Sequence, residues 1–390
     1  MEFADRVKTL AAEGAYFMLE RAQALEAAGR KIIHLEIGQP DGPTFENITR
    51  AGIRAIEQGY TRYTPPAGMP ALRQAVAEDA GRRRGMQVKP AQVVISSGTK
   101  PILFFPTQAL VSPGDEVIYP DPGFPTYRYM VEVAGGKPVP VPLREEEDFT
   151  FDLAVFDRLV SDRTRLVVLN SPGNPTGGIM PLPALEHIAA AAKRHDFWVL
   201  SDEIYSRLFY DREAPSIAAL PGMAERTVIA DGFSKTYSMT GWRLGYGIMP
   251  EALADRVELL VTHGVGCPAS FTQIAGIEAL RGPQDQVDAV MAEYKRRRDV
   301  LVARLNAIPG VTCRMPQGAF YVFPNMKSFG RTSDWLADYL LNEAGVAVLP
   351  GTAFGAYGEG YVRLVFSNSM ENILAALDLI EAALSKLKAN

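Results

Sequence analysis

Asp231-Gly232-Phe233-Ser234-Lys235-Thr236-Tyr237-Ser238-Met239-Thr240-Gly241-Trp242-Arg243-Leu244-Gly245 directly follows the run Thr227-Val228-Ile229-Ala230. That run reads as a buried strand, so the segment after it lies at a strand's C-terminal end, where open parallel sheets hold their ligands. Lys235 therefore brings a primary amine to that edge. An amine so placed forms Schiff bases once desolvation and neighbouring cations depress its pKa, and Arg243, eight residues on, is a candidate neighbour.

Working outward, four more apolar runs stop at polar or glycine-rich clusters. They are Val93-Val94-Ile95 before Ser96-Ser97-Gly98, Val117-Ile118-Tyr119 before Pro120-Asp121-Pro122, Leu166-Val167-Val168-Leu169 before Asn170, and Trp198-Val199-Leu200 before Asp202. Helical patterns such as Leu182 to His195 lie between them. Repeated βα units of this kind predict an α/β fold with a mostly parallel sheet flanked by helices, whose polar strand ends share one edge. Beyond about Pro283 the pattern changes. A charged helix (Ala292 to Asn306), a strand pattern in Gln317-Gly318-Ala319-Phe320-Tyr321-Val322-Phe323, a helix from Trp335 to Ala344, a strand at Gly360 to Phe366 and an amphipathic terminal helix predict a smaller α+β domain. A helical stretch (Ala11 to Gly29) and a short strand (Ile32 to Ile37) are assigned to that same domain. The expected organisation is residues 1–45 as the N-terminal part of the small domain, 46–283 as the large domain and 284–390 as the rest of the small domain.

The bulk composition narrows the class. With 390 residues, 47% apolar, 22% charged and a net charge of −5, the chain is that of a soluble globular protein of two or three domains. The acidic balance offers no basic face for nucleic acid, and no run of 18 or more apolar residues could cross a bilayer. The N-terminus lacks a basic region followed by an apolar core, so a cytoplasmic address is expected. Two cysteines, Cys267 and Cys313, cannot make a disulfide framework, and four histidines stand in no metal-ligand spacing, so no metal is expected.

The Lys235 segment closely resembles the lysine signature of class I/II aminotransferases of fold type I, the aspartate aminotransferase-like enzymes that use pyridoxal 5'-phosphate (PLP). Its order, Gly/Ser, apolar, small, Lys, two free positions, small, apolar, any, Gly, any, Arg, apolar, Gly, fits at every position. The resemblance runs from about Gly38 to Arg363, with the family's motifs in order. It implies that Lys235 holds PLP as a Schiff base, is displaced by the substrate amine, and then carries the proton between the α-carbon and the cofactor in a ping-pong transamination between an amino acid and a 2-oxo acid. It implies further that Asp202, in Ser201-Asp202-Glu203-Ile204-Tyr205, pairs with the pyridinium nitrogen, and that Tyr205 and Asn174, the latter in Asn170-Ser171-Pro172-Gly173-Asn174-Pro175, serve the phenolic oxygen. Phe124 would stack on the ring. Gly98, Thr99 and Lys100, at a strand-to-helix junction, would cradle the phosphate with Ser234 and Arg243. Gly232 stands where many relatives carry serine, so one phosphate hydroxyl is missing. Arg363 would clamp the substrate's α-carboxylate and Gly38 would approach it.

Arg62-Tyr63-Thr64-Pro65-Pro66-Ala67-Gly68 resembles the segment whose tyrosine reaches the phosphate of the other subunit's cofactor, which implies a homodimer with shared sites. Substrate identity is left between two alternatives. Lys100 reads a distal carboxylate, as in one subgroup of aspartate aminotransferases, or Phe124, Tyr16 and Phe17 line an apolar pocket for aromatic or aliphatic amino acids. A PLP-dependent lyase or synthase on the same scaffold shares all these residues and is the alternative activity. A non-catalytic effector-binding module is the remote one.

Overall fold

The computed structural model describes residues 2–8, 10–12 and 14–387. Glu13, within the expected helix 11–29, lies outside the described residues; the helix is found at Gly14–Ala27.

Among the described residues a seven-stranded sheet is built from β1 (Val93–Ser96), β2 (Glu116–Asp121), β3 (Lys137–Pro142), β4 (Thr164–Asn170), β5 (Trp198–Asp202), β6 (Thr227–Gly232) and β7 (Gly245–Ile248), in the spatial order β1-β7-β6-β5-β4-β2-β3. All neighbours run parallel except β7, which is antiparallel to both β1 and β6. Side chains of the central strands are buried on both faces, as helix-covered parallel sheets require. Helices α1 (Lys100–Leu110), α2 (Thr126–Ala134) and α3 (Leu182–His195) cover it. The fold is α/β, with a mixed, mostly parallel sheet.

Five strands and α3 fall where the periodicity puts them, and two strands lie where it gives no signal. β3 reads Lys-Pro-Val-Pro-Val-Pro; three residues without an N–H donor deny it a second neighbour, so it sits at the sheet's edge, paired to β2 alone. β7 alternates glycine with larger residues because nothing bigger fits: a Cβ on Gly245 would lie 2.5 Å from the Gly98 carbonyl carbon, and one on Gly247 2.6 Å from Ile102. Register then fixes the site. Asn170 pairs with Asp202 and Asp202 with Ala230, so three strand ends finish in line. The chain leaves β6 at Gly232, runs through the lysine segment, and returns as β7 with Gly245 opposite Gly232.

Outside this sheet, Ile33–His34 pairs in parallel with Val346–Ala347, tying the N-terminal segment to the C-terminal region. Leu349–Pro350, Val362–Val365 and Tyr321–Val322 form a three-stranded antiparallel sheet. Helices α4 (Asp285–Ala307) and α5 (Met370–Leu384) pack beside it, and Met18, Leu35, Leu301, Leu340, Val365, Ile373 and Leu377 share one core. The expected strands shorten to these few residues, and the charged helix begins earlier than its periodicity suggests, at Asp285. The Trp335 helix is α-helical over Ser333–Tyr339 and then widens into a π turn, Leu340–Ala344.

Candidate active site

The C-terminal edge of the large sheet and the three-stranded sheet together enclose a cavity of about 550 Å³. Lys235, Asp202, Tyr205, Asn174, Ser234, Arg243, Thr99, Lys100, Phe124, Gly38 and Arg363 all line it. Residues from both ends of the chain, Gly38 and Arg363 among them, thus meet at one place. Gly98 lies directly behind Arg243. Tyr63 is the exception: its side chain is 99% exposed and stands outside the cavity. Of the two aromatic residues expected as an apolar lining from the N-terminal helix, Tyr16 faces the cavity and Phe17 does not.

Lys235 is partly buried. Its Nζ donates to the Gly38 carbonyl and lies 5.8 Å from the centre of the Phe320 ring. Desolvation first, then the positive charges of Arg363, Arg243 and Lys100, pull its pKa down to about 8, against an opposing pull from Asp202. Arg243 is therefore the neighbour expected from sequence, but Arg363 acts more strongly. Arg243 itself has φ +54°, a left-handed backbone that costs a non-glycine residue about 1–3 kcal/mol and clusters at functional sites.

Asp202, at the end of β5, is buried. Its Oδ2 accepts from the Tyr127 hydroxyl at 2.7 Å and its Oδ1 from the Ile204 N–H at 3.2 Å. Burial pushes its pKa up to about 6 despite both donors, with Asp231 and Glu203 adding to the rise. Asn170 orients the turn that follows β4: its Nδ2 donates to the Asp202 carbonyl at 3.0 Å and its Oδ1 accepts the Asn174 N–H at 2.8 Å. Asn174 Oδ1 in turn accepts from Arg363 Nη1 at 3.2 Å. Arg363 is buried against the rings of Tyr321 and Phe354, with its Cζ 4.6 and 4.9 Å from their centres, and donates to the Glu36 carbonyl.

The turn at Gly98 is shaped for an anion. Gly98 has φ +87°, and a Cβ there would sit 2.3 Å from Arg243 Nη2, so glycine is what lets the guanidinium come against the N-terminus of α1. The absent hydroxyl at position 232 has a steric cause: a side chain there would begin 2.7 Å from Thr99 Oγ1, which donates to the Asp231 carbonyl at 3.1 Å. Thr99 already fills the space.

Two residues escape a reading of the sequence alone. Tyr127 hydrogen-bonds Asp202, and the Tyr321 hydroxyl pairs with that of Tyr205 at 2.6 Å. Tyr127, in the first turn of α2, meets a partner 75 positions away that no local spacing points to; Tyr321 lay inside a strand pattern that gave no sign of which way it points.

The sequence profile of the family described as "Aminotransferase class I and II" matches residues 30–380. The chain is 40% identical over 385 residues to the aspartate aminotransferase of Pyrococcus horikoshii, covering 98% of this chain and 97% of that one. It is 38% identical over 392 residues, the whole of both chains, to aromatic-amino-acid aminotransferase 2 of Thermococcus litoralis. Its structure superposes on that of Thermus thermophilus aspartate aminotransferase with maleate at a TM-score of 0.94, with 37% identity and 98% and 100% of the two chains covered. With profile, sequence and fold agreeing over nearly the full length, this chain belongs to the class I and II aminotransferases.

Proposed function

We propose that this aminotransferase works with PLP attached to Lys235, as a cytoplasmic homodimer, and prefers dicarboxylic amino acids and their 2-oxo acids. The observation that carries the cofactor reading is the joint placement, on one sheet edge, of a lysine with a depressed pKa, a buried carboxylate on β5 and an anion-shaped turn at Gly98 backed by Arg243. These groups match the aldehyde, ring nitrogen and phosphate of PLP in chemistry. A cavity of about 550 Å³ also suits the cofactor and a small substrate together.

When bound, PLP supplies an aldehyde carbon for the amine and a pyridine ring that accepts the electron pair left at the substrate's α-carbon. Asp202 would accept a hydrogen bond from the protonated ring nitrogen, and its burial would strengthen that pairing. Tyr205 and Asn174 would donate to the phenolic oxygen, and Phe124 would form the wall beside the ring. Gly98 and Thr99 at the head of α1, with Ser234 and Arg243, would bind the phosphate. Arg363 takes the α-carboxylate with its planar fork, and Gly38 brings backbone close to the same group. Lys235, half-buried and with a depressed pKa, would serve as the base that takes the substrate's α-proton.

Lys100 supports the dicarboxylate preference. Its Nζ lies over the Phe124 ring, 5.4 Å from the centre, at the wall of the cavity, and the relatives include aspartate aminotransferases. Fully exposed Tyr63, with exposed Ile53, Ile56 and Tyr60 preceding it in sequence, supports a dimer in which Tyr63 reaches the second subunit's phosphate site. The reaction is tested by half-reactions: an amino acid should abolish the visible band of the PLP-loaded protein stoichiometrically, and a 2-oxo acid should restore it. Release of ammonia and a 2-oxo acid without an acceptor would favour a lyase.

A further inference from the structure

Asp202 accepts a hydrogen bond from the Tyr127 hydroxyl, and the geometry of this pair is tightly constrained. Both residues are buried, the O–H···O distance is 2.7 Å, and the tyrosine ring meets Phe124 edge to face with centres 5.8 Å apart at 81°. Phe124 stands just before the N-cap of α2 and Tyr127 in its first turn, so one short segment presents both a ring of the cavity wall and the donor to the carboxylate. Tyr127 has its own hydroxyl proton committed to Asp202: burial and the adjoining negative charge hold its pKa well above the ordinary phenol value.

We propose, resting on the PLP reading above, that Tyr127 is a positioning residue that fixes Asp202 Oδ2 and keeps that carboxylate ionised beneath the cofactor's ring nitrogen. The surroundings make a donor necessary. Glu203 follows Asp202 in the chain and Asp231 lies on the neighbouring strand β6, and both negative charges favour a neutral Asp202. Arg84 offsets them from the far side, bonding Glu203 and Asp231 at 2.7 Å each. Facing Asp202 from the cavity are Lys235 after β6, Tyr205 from its own loop and Tyr321 from the small sheet. Of all these, Tyr127 is the side chain that donates directly to the carboxylate. Without it, a proton shared between carboxylate and pyridine moves toward the carboxylate, and the ring loses its electron-accepting charge.

The test is Tyr127→Phe, which keeps the ring against Phe124 and removes only the hydroxyl. Holoenzyme is loaded with PLP labelled with ¹⁵N in the ring, and the nitrogen resonance is read near pH 7.5 beside the steady-state kinetics. The expected result is a shift of the resonance toward the neutral-pyridine position, with kcat lower by roughly tenfold to a hundredfold and KM little changed, the size expected for losing a hydrogen bond to a charged group. In an Asp202→Asn background the same change should cost no more than about twofold, since no ionised carboxylate remains to be held. An unmoved resonance with kcat within about twofold of wild type would overturn the proposal, and so would an undiminished loss in the Asp202→Asn background. Should Tyr127→Phe not fold, Tyr127→His returns an N–H donor and is read in its place; a neutral-pyridine resonance there would also overturn it. Failure of wild-type protein to bind the labelled cofactor at all would instead refute the PLP reading.

Discussion

Arg363 Nη1 and Asn174 Oδ1 are hydrogen-bonded at 3.2 Å, joining the three-stranded sheet to the loop after β4 at the wall of the cavity. The guanidinium is thus already oriented before a substrate arrives. Because it also rests on the Tyr321 ring and the Glu36 carbonyl, its rotamer is set by the protein, and little ordering cost remains to be met on binding. Arg363→Lys keeps the charge but loses the fork. Its kcat/KM for amino donors should fall by roughly tenfold to a hundredfold, mostly through KM, in steady-state assays. Unchanged KM would show that the α-carboxylate is held elsewhere.

The depressed pKa of Lys235 predicts how apoenzyme takes up PLP. An amine is a nucleophile only when deprotonated, and this one loses its proton near pH 8, well below an ordinary lysine. The second-order rate of cofactor attachment should climb about tenfold per pH unit up to about 8 and then level off. An undepressed lysine would keep climbing toward about pH 10. Stopped-flow absorbance across that range separates the two.

Much of this site was legible because its chemistry is written in fixed local spacings. Lys235, Arg243 and Ser234 share one segment, and Asp202 and Tyr205 share another. What was not legible depends on convergence in space. The hydrogen bond from Tyr127 to Asp202 joins residues 75 positions apart, and no local pattern encodes it. The two strands without a sequence signal failed for the opposite reason: prolines in β3 and glycines in β7 weaken the period-2 pattern, yet an edge position and a close backbone approach are what those residues are for. The steric account of Gly232 likewise needed Thr99, which bonds the Asp231 carbonyl from 132 positions away.

Lys100 is expected to read the distal carboxylate. Lys100→Ala should lose roughly tenfold or more in kcat/KM on aspartate and glutamate, about 1.4 kcal/mol or more of transition-state binding, and little on phenylalanine, leucine or alanine. An equal loss on all five would assign Lys100 to the phosphate, and a preference for phenylalanine in wild type would favour the apolar lining that includes Tyr16 and Phe124.

Tyr63 carries the prediction on assembly. If it completes the partner's phosphate site, mixing weakly active Tyr63→Phe protein with inactive Lys235→Ala protein restores activity, because a mixed dimer contains one intact site. Light scattering should give twice the mass of the 42.6 kDa chain. Full activity in a species of monomer mass would refute the shared site.

Lys235 is the amine expected to bind the cofactor, and chemical trapping tests that assignment. PLP-loaded protein is reduced with borohydride, digested and mapped by mass spectrometry. A pyridoxyl adduct is expected on the peptide containing Lys235, stoichiometric with bound cofactor, and none in Lys235→Ala. An adduct on a different lysine, or one that persists in Lys235→Ala, would contradict it.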